Sequence, residues 1–125
     1  MDSSGYVKLP LREIEHASLL AELAEWDGYV SSALLAVEAV RACARYGPDY
    51  EAEARSFLEG LALLPIDDAV LGEAASLGPA ELRSLDALHL ATALSIRDEI
   101  GACVTYDQRL ADAAGGRGLN IVRPT

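Results

Sequence analysis

The sequence predicts an α/β fold in which a parallel sheet is flanked by helices. Short apolar runs of strand length alternate along the chain with longer segments of helical periodicity. Leu and Ala dominate over aromatic residues, which suits packed helices. Several acidic residues follow or interrupt apolar runs, and open α/β sheets bind ligands at the carboxyl ends of their strands. With 125 residues in the chain, we expect residues 1–125 to form a single domain.

Seven helices are predicted from apolar residues at helical spacing and from Gly, Pro, Ser and Asp at the segment ends. They span residues 3–9, 13–26, 33–46, 49–60, 68–77, 82 or 84–100, and 107–114. Ser31 or Ser32 is the expected cap of the third helix, and Asp67 of the fifth. Pro10, Gly28 and Gly101 are expected to stop the helices that precede them.

Four strands are predicted between these helices, at residues 29–31, 61–66, 102–105 and 119–122. Pro65 interrupts the second of them. The glycines between residues 115 and 118 predict a flexible loop before the last strand. Alternating strands and helices of this length are typical of a parallel sheet covered by helices.

The charge balance argues against a protein that grips nucleic acid through bulk electrostatics. Twenty acids face ten Lys and Arg residues, for a formal net charge of −10. This objection weakens if several acids bind Mg²⁺, which reverses the local field, or if a basic partner covers the rest. A hydrophobic fraction of 51% argues against disorder.

Cysteine usage and the apolar runs predict a cytoplasmic protein. Cys43 and Cys103 are expected to be reduced and buried, as small hydrophobic side chains. No apolar run approaches the roughly 18 residues of a membrane span, and no basic and apolar leader opens the chain, so we expect no membrane contact.

Four carboxylates, at Asp2, Glu38, Asp86 and Asp107, adjoin or interrupt apolar stretches. An ionised carboxylate taken out of water costs several kcal/mol unless a partner charge or a metal compensates. One shared divalent cation would explain all four positions together.

Each acid also has an ordinary structural explanation. Asp107 follows a predicted strand and is a favoured helix N-cap. Asp86 lies in a first helical turn, where the helix dipole favours an acid, and His89 one turn on is a candidate partner. His89 itself suits a buried, hydrogen-bonded histidine better than a ligand of Mg²⁺ or Mn²⁺, which prefer oxygen.

The other two acids have similar alternatives. Glu38 lies in mid-helix, where an ion pair with Arg41 or Arg45 would satisfy it. Asp2 is a possible helix cap at a frayed terminus.

The segments around these acids resemble a PIN-domain toxin of the VapC type. The similar segments are Asp2-Ser3-Ser4 and residues 31–38, 85–93 and 104–110, in the same order and with similar spacing. The resemblance covers nearly the whole chain, and its most specific parts surround Asp86 and Asp107.

This resemblance implies a PIN-like fold and a metal-dependent endoribonuclease, the toxin of a type II toxin-antitoxin pair. Such proteins are usually homodimers that a cognate VapB-like antitoxin holds inactive, with tRNA or rRNA the expected substrate. The acidic quartet carries over as catalytic and metal-binding Asp2, Glu38, Asp86 and Asp107. Hydroxyl positions that support the site carry over as Ser3 or Ser4 and Thr105.

One departure from the family pattern concerns the first strand. Related proteins usually carry a short hydrophobic strand before the first Asp, whereas here only Met1 precedes Asp2. The central strand is therefore expected to be truncated. Either the natural start lies upstream, or the chain was shortened, or the domain tolerates the loss with lower stability and poorer placement of Asp2.

The expected mechanism uses one or two Mg²⁺ or Mn²⁺ ions, which activate a water for in-line attack and leave a 5′-phosphate and a 3′-hydroxyl. Glu38 or Asp107 is the candidate for orienting that water. The bases available for RNA contacts are Lys8, Arg12, Arg83, Arg109 and Arg117, although each also suits an ordinary solvated position. Two rival functions stay open: a PIN-like module that binds antitoxin or RNA without cutting, and an RNA-processing nuclease outside a toxin system.

Overall fold

The computed structural model describes residues 1–6, 8, 10 and 14–125. Within them lie seven helices, α1 (Ser3–Tyr6), α2 (His16–Leu23), α3 (Leu34–Ala44), α4 (Pro48–Leu58), α5 (Asp68–Ser76), α6 (Ser84–Ser95) and α7 (Gln108–Gly115). The strands are β1 (Val30–Ser32), β2 (Ala62–Leu64), β3 (Cys103–Val104) and β4 (Ile121–Val122). Each strand follows one or two helices, so the predicted α/β order is confirmed.

Local hydrogen bonds explain where several helices begin. The Asp67 side chain accepts a hydrogen bond from Val70 N at 2.9 Å and caps α5, as predicted. Ser32 Oγ accepts from Leu34 N at 3.2 Å at the start of α3. Gly47, with φ of 126°, adopts a backbone conformation that suits glycine and lets Pro48 open α4.

Helix α6 is shorter than the sequence pattern predicts. The apolar spacing extends to residue 100, but the helix ends at Ser95. The Ser95 hydroxyl donates to Thr92 O at 2.6 Å, and Ile96 N donates to Ala93 O three residues back. Such local bonds compete with continued α-helix, so the chain turns early toward β3. The first two helices are also shorter than predicted, and residues 7, 9 and 13 of those predictions lie outside the described part.

Both sheets are parallel and two-stranded, β1 with β2 and β3 with β4. The first two residues of the chain lie between them. The Met1 amino group donates to Val30 O at 3.2 Å, and the Ser31 hydroxyl donates to Met1 O at 2.6 Å. On the other side, Asp2 N donates to Val104 O at 3.3 Å. Met1 and Asp2 therefore bridge β1 and β3 where a central strand is expected.

A cavity of about 330 Å³ opens beside this bridge. Its walls include β1, the segment 102–104 around β3, and residues of α6. Trp26 and Gly101 also line it, and a Cβ at Gly101 would collide with the Trp26 ring, so the indole packs directly on the backbone. The cavity thus lies between β1 and β3, next to Met1 and Asp2.

Apolar side chains of the described residues form separate clusters. One joins α1, α3 and α4 and contains the buried residues Tyr6, Leu35, Ala39, Val40, Cys43 and Ala54. Another joins α6 and α7 and contains Leu82, Ala87, Leu90, Leu110, Ala113 and Ala114. Cys43 and Cys103 are both buried, and neither forms a disulfide, as expected. None of the helices in the described residues has the length and hydrophobicity that a membrane span requires.

Candidate active site

Asp107 uses its two carboxylate oxygens for different purposes. It directly precedes α7, where Oδ1 accepts a hydrogen bond from Leu110 N at 3.1 Å and caps the helix. Its Oδ2 accepts from Arg83 Nη2 at 3.0 Å. The capping role and a role at the site were alternatives on the sequence, but the geometry allows both because the cap needs only one oxygen.

Asp86 lies in the first turn of α6 and is 7% exposed. Its Oδ2 accepts a hydrogen bond from Arg83 Nε at 2.9 Å. His89 was the predicted partner, and that prediction is wrong, since the imidazole bonds to Glu38. The Arg83 guanidinium instead joins Asp86 to Asp107 across 21 residues of sequence, which brings these two predicted site residues together.

Asp2 is buried against the end of β3, at 4% exposure, and its side chain also caps α1, which was the alternative explanation from the sequence. Its Oδ1 accepts from the Ser4 hydroxyl at 2.7 Å and from Gly5 N at 3.4 Å. Burial raises the pKa of Asp2 above its ordinary value, and the Ser4 hydrogen bond and the attraction of His89 oppose that rise. The carboxylate is thus held in a place where it costs free energy to ionise.

Two hydroxyls connect Asp2 to Asp107. Ser4 Oγ lies 3.3 Å from Thr105 Oγ1 and accepts from Tyr106 N at 2.9 Å. Thr105, which is fully buried, accepts from Asp107 N at 3.1 Å. Of the predicted supporting residues, Ser4 and Thr105 thus contact the acids or their backbone, while the Ser3 side chain lies outside the described part.

Glu38 projects from α3 and pairs with His89 of α6. His89 Nε2 lies 2.5 Å from Glu38 Oε1, and the two side chains are 5% and 18% exposed. This partner replaces the expected pair with Arg41 or Arg45. The pairing ties the fourth predicted acid to the helix that also carries Asp86.

Sequence reasoning missed the role of Arg83 and the partner of His89, although it expected His89 to be buried and hydrogen-bonded. Arg83 had a local signal, because it lies three residues before Asp86 at a helix start, a spacing that favours an ion pair. His89 had none, since its partner is 51 residues away on another helix.

The donor set suits a hard cation, although the side chains are not arranged around one. Across residues 1–6, 8, 10 and 14–125, no group of three or more His, Cys, Asp or Glu side chains is placed to hold a metal ion. Carboxylate oxygens are nevertheless the ligands that Mg²⁺ and Mn²⁺ prefer. Asp86 and Asp107 each accept a hydrogen bond from the Arg83 guanidinium through one carboxylate oxygen. The chemistry of these oxygens therefore fits a positively charged ion.

Fold and site together define a small α/β protein in which the Arg83 guanidinium joins the carboxylates of Asp86 and Asp107. The family model of the PIN domain matches residues 2–116. Ribonuclease VapC47 of Mycobacterium tuberculosis (strain CDC 1551 / Oshkosh) is 44% identical over 129 residues, covering 99% of this chain and 95% of the relative. Ribonuclease VapC46 of Mycobacterium tuberculosis (strain ATCC 25618 / H37Rv) is 42% identical over 125 residues, covering 100% and 96%.

A third relative, ribonuclease VapC35 of the same species, is 36% identical over 132 residues, covering 99% of this chain and 95% of the relative. The chain belongs to the PIN-domain family, in its VapC type. The resemblance identified from the sequence segments is therefore confirmed.

Proposed function

We propose that this protein is a metal-dependent endoribonuclease and the toxin of a type II toxin-antitoxin pair. The observation that carries the proposal is the meeting of Asp86, in the first turn of α6, and Asp107, which precedes α7, at one positively charged group. Membership of the PIN-domain family supports it, as do full-length relatives that are ribonucleases by name.

The residues that would hold Mg²⁺ or Mn²⁺ are Asp2, Glu38, Asp86 and Asp107. When bound, the ion supplies a water of lowered pKa and neutralises charge on the phosphoryl oxygens. The buried carboxylate of Asp2 favours such a ligand, because a nearby positive charge stabilises its ionised form.

The chain's own groups position this chemistry. Two hydrogen bonds fix the position of Asp107: Leu110 N donates to its Oδ1, and its own backbone N donates to the Thr105 hydroxyl. His89 fixes Oε1 of Glu38, and Oε2 has no hydrogen-bond partner among the described residues. Glu38 is therefore our candidate for orienting the attacking water, with Asp107 as the alternative.

The partners of the proposed toxin follow from the same family membership. We propose a cognate VapB-like antitoxin, a homodimeric assembly, and tRNA or rRNA as substrate. The net charge of −10 suits a partner with a basic segment and requires local positive charge where RNA binds. A small adjacent gene that encodes a DNA-binding fold with a helical tail would support the toxin assignment over an RNA-processing role.

Thermal melting in the presence of metal tests the shared cation site. Millimolar Mn²⁺ or Mg²⁺ should raise the melting temperature of the wild type. An ion at 100 times its dissociation constant adds about 2.7 kcal/mol to the free energy of unfolding. Asp86→Asn should lose this shift. Asp112→Asn is the matched control, because Asp112 lies exposed on α7 and, within the described part of the chain, its side chain bonds to Gln108 alone. Identical wild-type melts with and without the ions would refute the site.

A cleavage assay on structured RNA tests the activity. With Mn²⁺, the wild type should cut a tRNA or rRNA transcript and leave 5′-phosphate ends. Loss of a supporting partner of a metal ligand costs about 10- to 100-fold, so Asp107→Asn should lower the rate by at least about 100-fold. Asp112→Asn should retain activity. A wild type that binds RNA or antitoxin but never cuts would instead favour a binding module.

A further inference from the structure

Arg83 occupies a particular position at the candidate site. It is the residue immediately before α6, in extended conformation with φ of −69° and ψ of 153°. From there its Nε donates to Asp86 Oδ2 at 2.9 Å and its Nη2 to Asp107 Oδ2 at 3.0 Å. One guanidinium therefore bonds to both carboxylates.

This contact is electrostatically favourable for the acids. Two carboxylates that face a common point repel each other, and a planar guanidinium offsets both charges through separate N–H groups. The same two Oδ2 atoms are hard oxygen donors of the kind that bind Mg²⁺ and Mn²⁺. A guanidinium and a divalent cation therefore need the same atoms.

The three side chains differ in exposure, and the difference allows a metal ion to replace the Arg83 guanidinium. The Arg83 side chain is 62% exposed, whereas those of Asp86 and Asp107 are 9% and 22% exposed. The carboxylates are thus held by the fold, but the arginine reaches them from solvent. Its backbone is anchored independently, since Ala87 N donates to Arg83 O at 2.8 Å. The side chain can leave without disturbing the helix start.

We propose that Arg83 is an internal counter-cation that competes with a divalent metal ion for Asp86 and Asp107, and so lowers the affinity of the site for metal. This inference rests on the proposed function, because it requires that these acids bind a metal. Binding displaces the guanidinium into solvent. Arg83 is a positioning residue that acts through the two acids.

Metal titration in the absence of RNA tests the proposal without using activity. Mn²⁺ binding is measured by calorimetry or by electron paramagnetic resonance for the wild type, Arg83→Gln, Arg83→Lys and Arg109→Gln. Arg83→Gln removes the competitor and should bind Mn²⁺ about three- to tenfold more tightly. Arg83→Lys keeps the charge but cannot donate to both acids through one planar group. Its affinity for Mn²⁺ should therefore lie between those of the wild type and Arg83→Gln.

Arg109→Gln is the matched control for net charge. Arg109 is exposed at the start of α7, two residues after Asp107, and has no hydrogen bond or ion pair with the described residues. It should bind Mn²⁺ nearly as the wild type does. The advantage of Arg83→Gln should also shrink as salt rises, because ions screen an exposed pair.

The outcomes separate this inference from the proposed function. If wild type and Arg83→Gln bind Mn²⁺ equally, or Arg83→Gln binds more weakly, the competition is refuted while the metal site stands. An equal gain in Arg83→Gln and Arg109→Gln also refutes it, because bulk charge then explains the effect. If no variant binds Mn²⁺, both the inference and the proposed function fail. Should Arg83→Gln not fold, Arg83→Lys decides, and wild-type affinity in it refutes the competition.

Discussion

His89 Nε2 lies 2.5 Å from Glu38 Oε1, although 51 residues separate the two along the chain. The pair joins α3, which follows β1, to α6, which carries Asp86. Both side chains are largely withdrawn from water, so each depends on the other for its hydrogen bond. The placement of Glu38 at the candidate site is therefore a property of helix packing.

A double-mutant cycle should detect this dependence. Combining Glu38→Ala with His89→Ala is expected to give a coupling energy of about 1–3 kcal/mol, because either single change leaves a mostly buried polar group without its partner. Urea unfolding of the four proteins measures it. The exposed pair Glu51–Arg55, 3.1 Å apart within α4, is the control and should couple by about 0.3–0.5 kcal/mol. Equal coupling in the two pairs would contradict the expectation.

The Thr105 hydroxyl should matter for both stability and the placement of Asp107. Thr105→Val keeps the shape but removes the acceptor for Asp107 N, which we expect to cost about 1–3 kcal/mol and to slow RNA cleavage. Thr92→Val is the control, because the Thr92 hydroxyl donates to Leu88 O of its own helix and contacts no site acid among the described residues. Activity and melting temperature should change much less in Thr92→Val. A cleavage rate equally affected in both variants would contradict a specific role for Thr105.

Tyr6 should make the protein sensitive to alkaline pH. Burial raises the pKa of the Tyr6 phenol above its ordinary value of 10.0, and its hydroxyl donates to Ala54 O at 2.5 Å. The folded state then holds a proton that the unfolded state releases near pH 10. The contribution of Tyr6 is accordingly complete below about pH 10 and is lost as pH rises toward the folded pKa.

Urea unfolding between about pH 7 and pH 11 measures this loss. Tyr6→Phe should lower the free energy of unfolding by about 1 kcal/mol at neutral pH, because a hydrogen bond is lost. It should also weaken the fall of this free energy above about pH 10. Tyr46→Phe, at an exposed position, should leave the decline as it is in the wild type. A Tyr6→Phe variant that declines as steeply as the wild type would contradict this assignment.

The gap between β1 and β3 should accept an added strand. Four β-branched apolar residues placed ahead of Met1 would continue the backbone that already bonds to Val30 and Val104, and would fill part of the cavity of about 330 Å³. We expect such an extension to raise the free energy of unfolding by about 1–2 kcal/mol. A Gly-Ser extension of equal length is the control and should have no stabilising effect. Equal stability of the two would contradict strand pairing in the gap.

Much of the local structure could be predicted because it depends on neighbours in sequence. The Asp67 cap, the helix start after Asp107 and the parallel α/β order all follow from periodicity and capping chemistry. The early end of α6 at Ser95 could not, since the apolar spacing continues past the point where a serine hydroxyl competes for the helix carbonyl.

The sequence by itself determined which acids stand at element junctions, and its segments were sufficient to identify the PIN-domain family. Only the tertiary structure decided what each acid contacts: Arg83 between Asp86 and Asp107, and His89 on Glu38. The physical reason is that periodicity and capping act over a few residues, whereas these contacts depend on how helices far apart in the chain pack against one another.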